Sequence, residues 1–278
     1  QETVAELLVS LGLDTGQFDK SLQEVNRSTK QMETAFNQAK KALNLSEKGI
    51  DDYSKAIKAG QDTIESYNKK MIALQEAHKE GLIECVISVE ENTSWDMYEH
   101  YEITSDIMKK LSSSVSGSNI MALCHYPEQK ETYGKKIIIL DDVQDPGNLG
   151  TIIRSALSFG YDSIILSKGC ADVYNEKVIR STQGACFHIP VFRKDLQEVL
   201  TDFKQQGIAV YGTALKNAID LQELEVKSPY AFVFGNEGQG VSQGILNRCD
   251  KLVKIEMETF ESLNVAVAAG ICMYTCNH

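Results

Sequence analysis

The fold is decided by residues 137–154, which read IIILDDVQDPGNLGTIIR. Four consecutive apolar residues, Ile137–Leu140, are mostly β-branched, and a polar segment follows them from Asp141 onward. This pattern is typical of a strand buried on both faces that leads through a loop into a helix, here near residues 151–158. We expect Asn148 to cap that helix by accepting a backbone N–H, which places Arg154 on its second turn.

Similar short apolar runs recur along the C-terminal half, and helical segments separate most of them. After the first run they are Ile164–Leu166, Ile208–Tyr211, Ala231–Phe234 and Leu252–Ile255. Each run is continuous and bounded by turn residues, as buried parallel strands are. The sequence therefore predicts an α/β fold with a largely parallel sheet, in which ligands bind beyond the carboxyl ends of the strands.

The composition of the chain is that of a globular protein with room for two domains. It has 278 residues, of which 42% are hydrophobic and 24% charged. The longest nearly apolar run, Val265–Tyr274, is too short to span a bilayer, and no basic start precedes an apolar stretch. Seven scattered cysteines without a C-x-x-C pair indicate reduced thiols, so we expect a cytoplasmic protein with no membrane partner. Cys272, Cys276 and His278 could be drawn as metal ligands, but a fourth ligand is not evident and we expect no metal.

The charge of the chain is acidic, with a formal net charge of −11. Residues 81–134 carry 3 basic and 9 acidic side chains, and residues 135–278 carry 14 and 17. Phosphate contacts need Lys and Arg, so this balance disfavours a strong non-specific nucleic-acid binder. It also counts against RNA as a substrate and keeps a substrate of another kind open.

A glycine-rich loop follows the apolar run at Ala231–Phe234. Residues 234–242 read FGNEGQGVS, with three glycines in six residues, which permits positive φ angles and a close backbone approach to a ligand. The spacing G-x-x-G-x-G differs from that of a dinucleotide fingerprint, and the G-x-x-x-x-G-K-[ST] phosphate loop is absent from the sequence.

A third segment lies near the C-terminus, where residues 255–269 read IEMETFESLNVAVAA. We expect Ser262 to cap the helix that follows, because a serine hydroxyl accepts a free backbone N–H at a helix start. The small apolar residues at the beginning of this helix suit tight packing against a neighbouring element.

Together the three segments resemble the SpoU-type, or TrmH-like, RNA ribose methyltransferases of the SPOUT superfamily, over about residues 135–274. The first resembles the family's N-x-G-x-x-x-R motif, the second its G-N-E-G-x-G motif and the third its E-S-L-N-V-A-V-A motif, in the family's order. A fourth segment resembles R-x-S-x-G-A-x-F-x-x-P, with Arg180 displaced by one position, and its matching residues are Ser181, Gly184, Ala185, Phe187 and Pro190.

The resemblance implies more than the residue pattern shows. It implies a C-terminal trefoil knot, S-adenosylmethionine as cofactor, and a homodimer through the catalytic domain whose active site uses both subunits. It implies cofactor contacts, several of them through backbone groups, from Thr213, Gly235, Asn236, Gly240, Ile255, Met257 and Leu263. It implies catalytic roles for Asn148, Arg154, Glu237, Ser262 and Asn264.

The chemistry of this reaction bears on the role of Arg154. A ribose hydroxyl is a poor nucleophile that must lose its proton, and the family assigns its activation to the matching arginine. A guanidinium with a pKa above about 12 is a reluctant base. We therefore interpret Arg154 as an electrostatic clamp on the developing alkoxide and the adjacent phosphate. For Ser262 and Asn148, purely structural roles stay open.

The sequence departs from the family in two places. Glu256 and Thr259 stand where the family usually has Pro and Gly, and this stretch is one residue shorter. Upstream, about residues 77–124 resemble only the second half of the family's small α/β substrate domain, while residues 1–75 resemble the N-terminal region of phage tail tape-measure proteins. We expect a helical segment at 1–76, a partial substrate domain at 77–130 and the methyltransferase domain at 135–278.

Two classes of function follow from these patterns. The first is an S-adenosylmethionine-dependent methyltransferase that acts on a ribose 2′-hydroxyl of ribosomal or transfer RNA. The alternative is a structural or interaction protein, in which a tape-measure-like helical segment carries an inactive methyltransferase domain. Binding of the cofactor separates the two.

Overall fold

The computed structural model describes residues 69–89, 95–111, 119–128, 132–258 and 262–277. They fall into two compact units: the smaller takes in Glu84–Leu123, and the larger takes in Lys69–Ile83 and Cys124–His278. Residues 1–68, which make up most of the helical segment predicted for residues 1–76, lie outside the described residues, and the tape-measure resemblance stays a prediction.

The smaller unit is built on a three-stranded sheet. Its elements are β1 (Ile83–Ser88), β2 (Glu99–Glu102), α1 (Ser105–Leu111) and β3 (Ile120–Cys124), with strand order β2-β1-β3 and β1 parallel to β2. Val86, Trp95 and Met108 form its buried apolar core. The sequence predicts three of these elements but not β2, whose residues EHYE are polar and mostly exposed.

The larger unit contains a seven-stranded sheet in which each recorded strand pair is parallel. The order is β6-β5-β4-β9-β7-β10-β8. Its strands are β4 (Lys136–Asp141), β5 (Ser163–Leu166), β6 (Val191–Arg193), β7 (Ala209–Thr213), β8 (Ile219–Asp220), β9 (Tyr230–Gly235) and β10 (Lys251–Lys254). Its helices are α2 (Pro146–Ser158), α3 (Glu176–Thr182), α4 (Leu196–Gln206), α5 (Gln243–Leu246) and α6 (Val265–Thr275), with short 3₁₀ turns at Ala185–Phe187 and Leu221–Glu223.

The central strand β4 shows why its sequence is continuously apolar. Ile138 and Leu140 belong to one hydrophobic cluster, which includes residues of α2 and α6. Ile137 and Ile139 belong to a second cluster, which includes residues of α4. Alternate side chains of a strand point to opposite faces, so a strand covered by helices on both sides needs an apolar residue at every position.

The predicted fold class is confirmed, with small differences at the strand ends. All five predicted runs fall in strands of the parallel sheet, shifted by at most two residues at either end. The strands β6 and β8 were not predicted, because runs of three and two residues carry no readable periodicity. The trefoil knot implied by the resemblance stays a prediction.

A helix at residues 69–79 belongs to the larger unit. His188 joins it to that unit, with Nε2 2.7 Å from Glu76 Oε2 and Nδ1 2.9 Å from Glu80 Oε1. Gly184 lies so close to Glu76 that an added Cβ would come within 2.5 Å of the Glu76 Cβ. The domain boundary predicted between residues 76 and 77 falls inside this helix, and the division of the N-terminal part stays a prediction.

Among the helices that can be described, none has the length and apolar character needed to cross a membrane.

Candidate active site

The three segments singled out in the sequence meet at one edge of the seven-stranded sheet. β4 pairs with β9 in parallel, so that Asp141 lies opposite Gly235 and the loops after both strands leave the sheet side by side. β9 pairs in turn with β7, and β7 pairs with β10. The loops after these strands therefore lie at the carboxyl edge, where parallel sheets bind ligands.

The helix α2 begins differently from the sequence prediction. Its N-cap is Asp145, whose side chain accepts from the Asn148 backbone N–H at 2.8 Å, and Pro146 occupies the first helical position. Proline is favoured there because it has no N–H to satisfy and its φ is already helical. The prediction that Asn148 caps this helix is therefore wrong. Arg154 is the ninth residue of α2 and lies on its third turn rather than its second.

Glu237 connects the loop after β9 with the start of α2. Its carboxylate accepts hydrogen bonds from Asn148 Nδ2 at 3.0 Å, from the Asp145 N–H at 3.1 Å and from the Gln144 N–H at 3.4 Å. Partial burial acts to raise the pKa of Glu237, but the bond from Asn148 and bonds from backbone N–H groups outweigh it. The pKa therefore lies below its usual value, and the group is a carboxylate at neutral pH.

Asn264 connects the third segment to the same group. Its side-chain oxygen caps α6 by accepting from the N–H groups of Ala266 and Val267 at 2.9 and 3.3 Å. Its Nδ2 donates to Asn148 Oδ1 at 2.8 Å. The predicted cap, Ser262, is wrong: Ser262 is exposed and lies outside the helix, whose first residue follows Asn264 directly.

These contacts form a chain with one direction, from Asn264 through Asn148 to Glu237. The cap turns the oxygen of Asn264 toward the helix, so that its NH₂ faces Asn148. Asn148 accepts with its oxygen and donates with its NH₂ to a carboxylate, which can only accept. Each NH₂ has a second N–H, so the chain can offer oriented, uncharged donors to a polar ligand.

Three of the five predicted catalytic residues are bonded to one another: Asn148, Glu237 and Asn264. The other two, Arg154 and Ser262, are not bonded to them. Arg154 is exposed, and its guanidinium has no hydrogen bond or ion pair with the described residues. It lies about 9 Å along α2 from Asn148 and about 120° around it, on the face of Gly147 and Thr151. Ser262 likewise has no side-chain hydrogen bond to the described part of the chain.

The glycine-rich loop after β9 folds back on itself. Asn236 and Gly240 exchange backbone hydrogen bonds of 3.1 and 2.9 Å, and Gly240 has a φ of 70°. The side chain of Asn236 is occupied within the protein, since it donates to the Asp142 carbonyl and accepts from the N–H groups of Gly238 and Gln239. Asn236 therefore shapes the loop with its side chain, and its predicted cofactor contact stays untested.

The other predicted cofactor residues follow the neighbouring strands. Thr213 ends β7 and donates its hydroxyl to the Val233 carbonyl at 2.9 Å. Ile255 and Met257 are half-buried directly after β10, and Leu263, just before α6, is 38% exposed. Backbone groups beside apolar side chains suit a ligand that has an aromatic ring and a few polar edges.

Several residues that hold the site together were missed in the sequence. Asp141 is buried and accepts from the Ser242 N–H at 2.8 Å, which ties β4 to the glycine-rich loop. Asp145 is the cap described above. A helix cap followed by proline is a recognisable signature, so Asp145-Pro146 carried a readable signal. The bond from Ser242 to Asp141 spans about a hundred residues and leaves no local pattern.

Within the described ranges, no cluster of three or more His, Cys, Asp or Glu residues could hold a metal ion. The three ligands considered in the sequence include His278, which lies outside those ranges.

Comparison with known proteins identifies relatives of this chain. The model of the SpoU rRNA Methylase family matches residues 135–274. The 23S rRNA (guanosine(2553)-2′-O)-methyltransferase RlmP of Bacillus subtilis is 42% identical over 175 residues, which are 63% of this chain and 71% of that protein. A TrmH-family protein of Staphylococcus aureus, named for tRNA/rRNA methyltransferases, is 39% identical over 150 residues, 53% of this chain and 60% of its own length.

Solved structures agree with this assignment. A protein of the TrmH family of RNA methyltransferases from Porphyromonas gingivalis is 29% identical, with a TM-score of 0.61 over 70% of this chain and 82% of that one. The SpoU methyltransferase AviRb from Streptomyces viridochromogenes, in complex with AdoMet, has a TM-score of 0.65 over 74% of this chain and 86% of that one. At 24% identity this second likeness shows the fold alone.

The close packing at Gly235 gives a direct test of the site's architecture. A Cβ at Gly235 would lie 2.1 Å from the Gly240 carbonyl carbon and the Val241 nitrogen, both of them backbone atoms. We expect Gly235→Ala to lower the free energy of unfolding by about 1–3 kcal/mol, because the loop must move away from β9. Urea denaturation measures this.

Gly238→Ala is the matched control in the same loop. Its Cβ would make only an ordinary contact of 3.6 Å with Asn236 Oδ1, so its stability should stay within about 0.5 kcal/mol of the wild type. Equal stability of the two variants would show that the loop does not pack on Gly235 as described.

Proposed function

The chain belongs to the SpoU rRNA methylase family, and on this premise we propose that it transfers a methyl group from S-adenosylmethionine to a ribose 2′-hydroxyl of ribosomal or transfer RNA. The observation that carries the proposal is the hydrogen-bonded chain Asn264–Asn148–Glu237. It links one residue from each of the three motifs, and it lies at the edge of the sheet where a ligand is expected. The reported relatives are named as methyltransferases, and none supports the alternative of a structural protein.

The residues at the carboxyl edge fit the proposed cofactor. The half-buried side chains of Ile255 and Met257, with Leu263, can contact the faces of an adenine ring, while backbone groups of Gly235, Ile255 and Leu263 can bind its polar edges. S-adenosylmethionine supplies a methyl group on a positively charged sulfur, and its transfer is an in-line displacement that depends largely on positioning. We propose that Asn148, Asn264 and Glu237 orient the ribose and the methionine part of the cofactor.

Arg154 has a separate role in this proposal. Its exposed guanidinium carries no hydrogen bond or ion pair to the described residues, so it can approach a developing alkoxide and the neighbouring phosphate. As a permanent cation it stabilises negative charge rather than removing a proton. Its distance along α2 from Asn148 agrees with a site that a second subunit completes.

The acidic balance of the chain restricts how it binds RNA. With a net charge of −11, general attraction to phosphates is weak, so we propose that recognition rests on local contacts near the site. We also propose a cytoplasmic location, which the kinship to bacterial rRNA methyltransferases supports.

Transfer of a labelled methyl group tests the proposed reaction. Purified full-length protein is incubated with methyl-labelled S-adenosylmethionine and total bacterial RNA that lacks the proposed 2′-O-methyl group. The RNA is then digested to nucleosides. We expect label in a 2′-O-methylnucleoside. Label in a methylated base would assign a different reaction, and calorimetry that shows no cofactor binding at millimolar concentration would contradict the proposal altogether.

Removal of the Arg154 side chain tests the clamp. We expect Arg154→Ala to reduce methyl transfer by about 100- to 1,000-fold while the cofactor dissociation constant changes little, because one contact to developing charge is lost. Arg248→Ala is the control, since Arg248 is also exposed and its guanidinium bonds, among the described residues, only to the Thr201 hydroxyl. Turnover near that of the wild type in Arg154→Ala would remove Arg154 from the mechanism.

We further propose a homodimer that uses the exposed side of α6. The sequence points to the small apolar face of Val265–Met273. Ala266, Ala269, Cys272 and Met273 are buried inside the unit, while Val267 and Ile271, one turn apart, are 51% and 37% exposed. A second copy would cover this exposed stripe of α6.

Light scattering tests the dimer. We expect the wild type to have twice the 30.9 kDa mass of one chain, and Ile271→Asp to shift the protein toward the monomer with loss of methyl transfer. Ile219→Asp is the matched control, because Ile219 lies on the edge strand β8 and is also 37% exposed. A wild type that is monomeric at micromolar concentration would contradict the proposed dimer.

A further inference from the structure

Arg193 stands at the end of β6, outside the motifs described above, and both terminal nitrogens of its guanidinium are bonded to the protein. Nη1 lies 2.9, 3.2 and 3.0 Å from the carbonyl oxygens of Ser167, Lys168 and Cys170, and Nη2 donates to the Ala171 carbonyl at 2.8 Å. These four carbonyls belong to residues 167–171, which follow β5 and are called the β5 loop below. One cation thus gathers four carbonyl oxygens that would otherwise repel one another.

The β5 loop is bonded to the loop after β4. Ser167 donates its hydroxyl to Asp142 Oδ1 at 2.5 Å and accepts from the Asp142 N–H at 2.9 Å. The Ala171 N–H donates to the Val143 carbonyl at 3.0 Å. A Cβ at Gly169 would lie 2.2 Å from Asp142 Oδ1, so the β5 loop packs directly against that carboxylate.

Asp142 connects the β5 loop to the candidate active site, because it contacts both. Its φ of 58° is in the left-handed region, which an aspartate adopts at a cost unless its surroundings hold it there. In that conformation its carbonyl accepts from Asn236 Nδ2 at 2.9 Å. The next two N–H groups after Val143, those of Gln144 and Asp145, point at the carboxylate of Glu237.

We propose that Arg193 is a positioning residue for methyl transfer, acting through the β5 loop and Asp142 on Glu237. The inference rests on the proposed function, and it adds a residue that belongs to none of the three motifs. Arg193 acts by holding the β5 loop closed against Asp142, and Asp142 then directs the backbone donors that fix the Glu237 carboxylate. Without the guanidinium the four carbonyls separate, and Asp142 loses the support for its left-handed backbone.

Lysine cannot replace arginine in this role. A guanidinium is planar and carries five N–H donors in a fixed arrangement, whereas an ammonium group offers three donors from a single point. Arg193→Lys therefore keeps the positive charge and most of the side-chain length but loses the ability to bond all four carbonyls. Arg248→Lys is the matched control, because Arg248 is also exposed but its guanidinium bonds, within the described ranges, only to a threonine hydroxyl on α4.

Steady-state kinetics of the full chain measure the effect on turnover. We expect Arg193→Lys to lower kcat by about tenfold or more, since a misplacement of about 1 Å can cost about 100-fold. The KM for RNA and the cofactor dissociation constant should change much less than kcat does, because Arg193 is not expected to touch either ligand. Arg248→Lys should have wild-type values throughout. An unchanged kcat in Arg193→Lys, or an equal loss of cofactor affinity, would overturn the proposal.

A double-mutant cycle separates positioning from a general loss of stability. If Arg193 acts through Glu237, the effect of Arg193→Lys on kcat should largely disappear in a Glu237→Gln background, because both changes damage the same group of contacts. A merely structural role predicts that the two effects multiply, and that result would contradict the proposal.

Nuclear magnetic resonance gives a readout that does not require activity. The side-chain NH₂ signals of Asn236 and Asn148 should shift in Arg193→Lys but not in Arg248→Lys, because these groups donate to the Asp142 carbonyl and the Glu237 carboxylate. If the wild type transfers no methyl group, the proposed function fails while these signals still decide the positioning role. Unchanged Asn236 and Asn148 signals in Arg193→Lys would overturn it.

Discussion

The parallel pairing of β4 with β9 is the constraint on which the rest of the site depends. It places Asp141 opposite Gly235, so that two loops begin at neighbouring points of the same sheet edge. Both strands are almost entirely buried, and their side chains fill the hydrophobic clusters on the two faces of the sheet. A shift of this pairing by one residue would turn Ile137 and Ile139 toward the wrong cluster, so the packing of the core also fixes the positions of Asn148 and Glu237.

The loops at this edge are partly exposed, and polar contacts hold them together in addition to the burial of Val143 and Val241. Asp141 bonds to Ser242, Asn236 to the Asp142 carbonyl, and Glu237 to two backbone N–H groups and Asn148. Each contact joins two different loops, so no loop is positioned by its own sequence alone. A geometry of this kind suits catalysis by positioning, because a rigid sheet supports the loops and the loops support one another.

The sequence could predict features that repeat locally, such as strands. It could not predict contacts between residues that are far apart in the chain. The short runs of β-branched and apolar residues predicted five strands of the parallel sheet, because burial on both faces makes central strands such as β4 and β9 apolar at successive positions. The two caps were assigned wrongly for the same reason in each case: Asn148 and Ser262 are good capping residues, but Asp145 before a proline and Asn264 next to the helix lie closer to the helix starts. The role of Arg193 could not be predicted at all, since its partners are backbone carbonyls and every residue has one.

The motif resemblance predicted which residues would belong to the site, but not how they divide within it. Asn148, Glu237 and Asn264 form one bonded chain, while Arg154 lies on another face of the same helix. That chain has a carboxylate at one end and a helix cap at the other. A carboxylate only accepts hydrogen bonds, so it orients the amide of Asn148, which can then accept from Asn264 with its oxygen alone. The cap of α6 sets the same direction from the other end, because the oxygen of Asn264 accepts from the N–H groups of Ala266 and Val267 and leaves its NH₂ for Asn148. The carboxylate of Glu237 and the cap of α6 therefore set the same direction for the N–H donors of both asparagines, and with it the kind of ligand atom that these donors can bind.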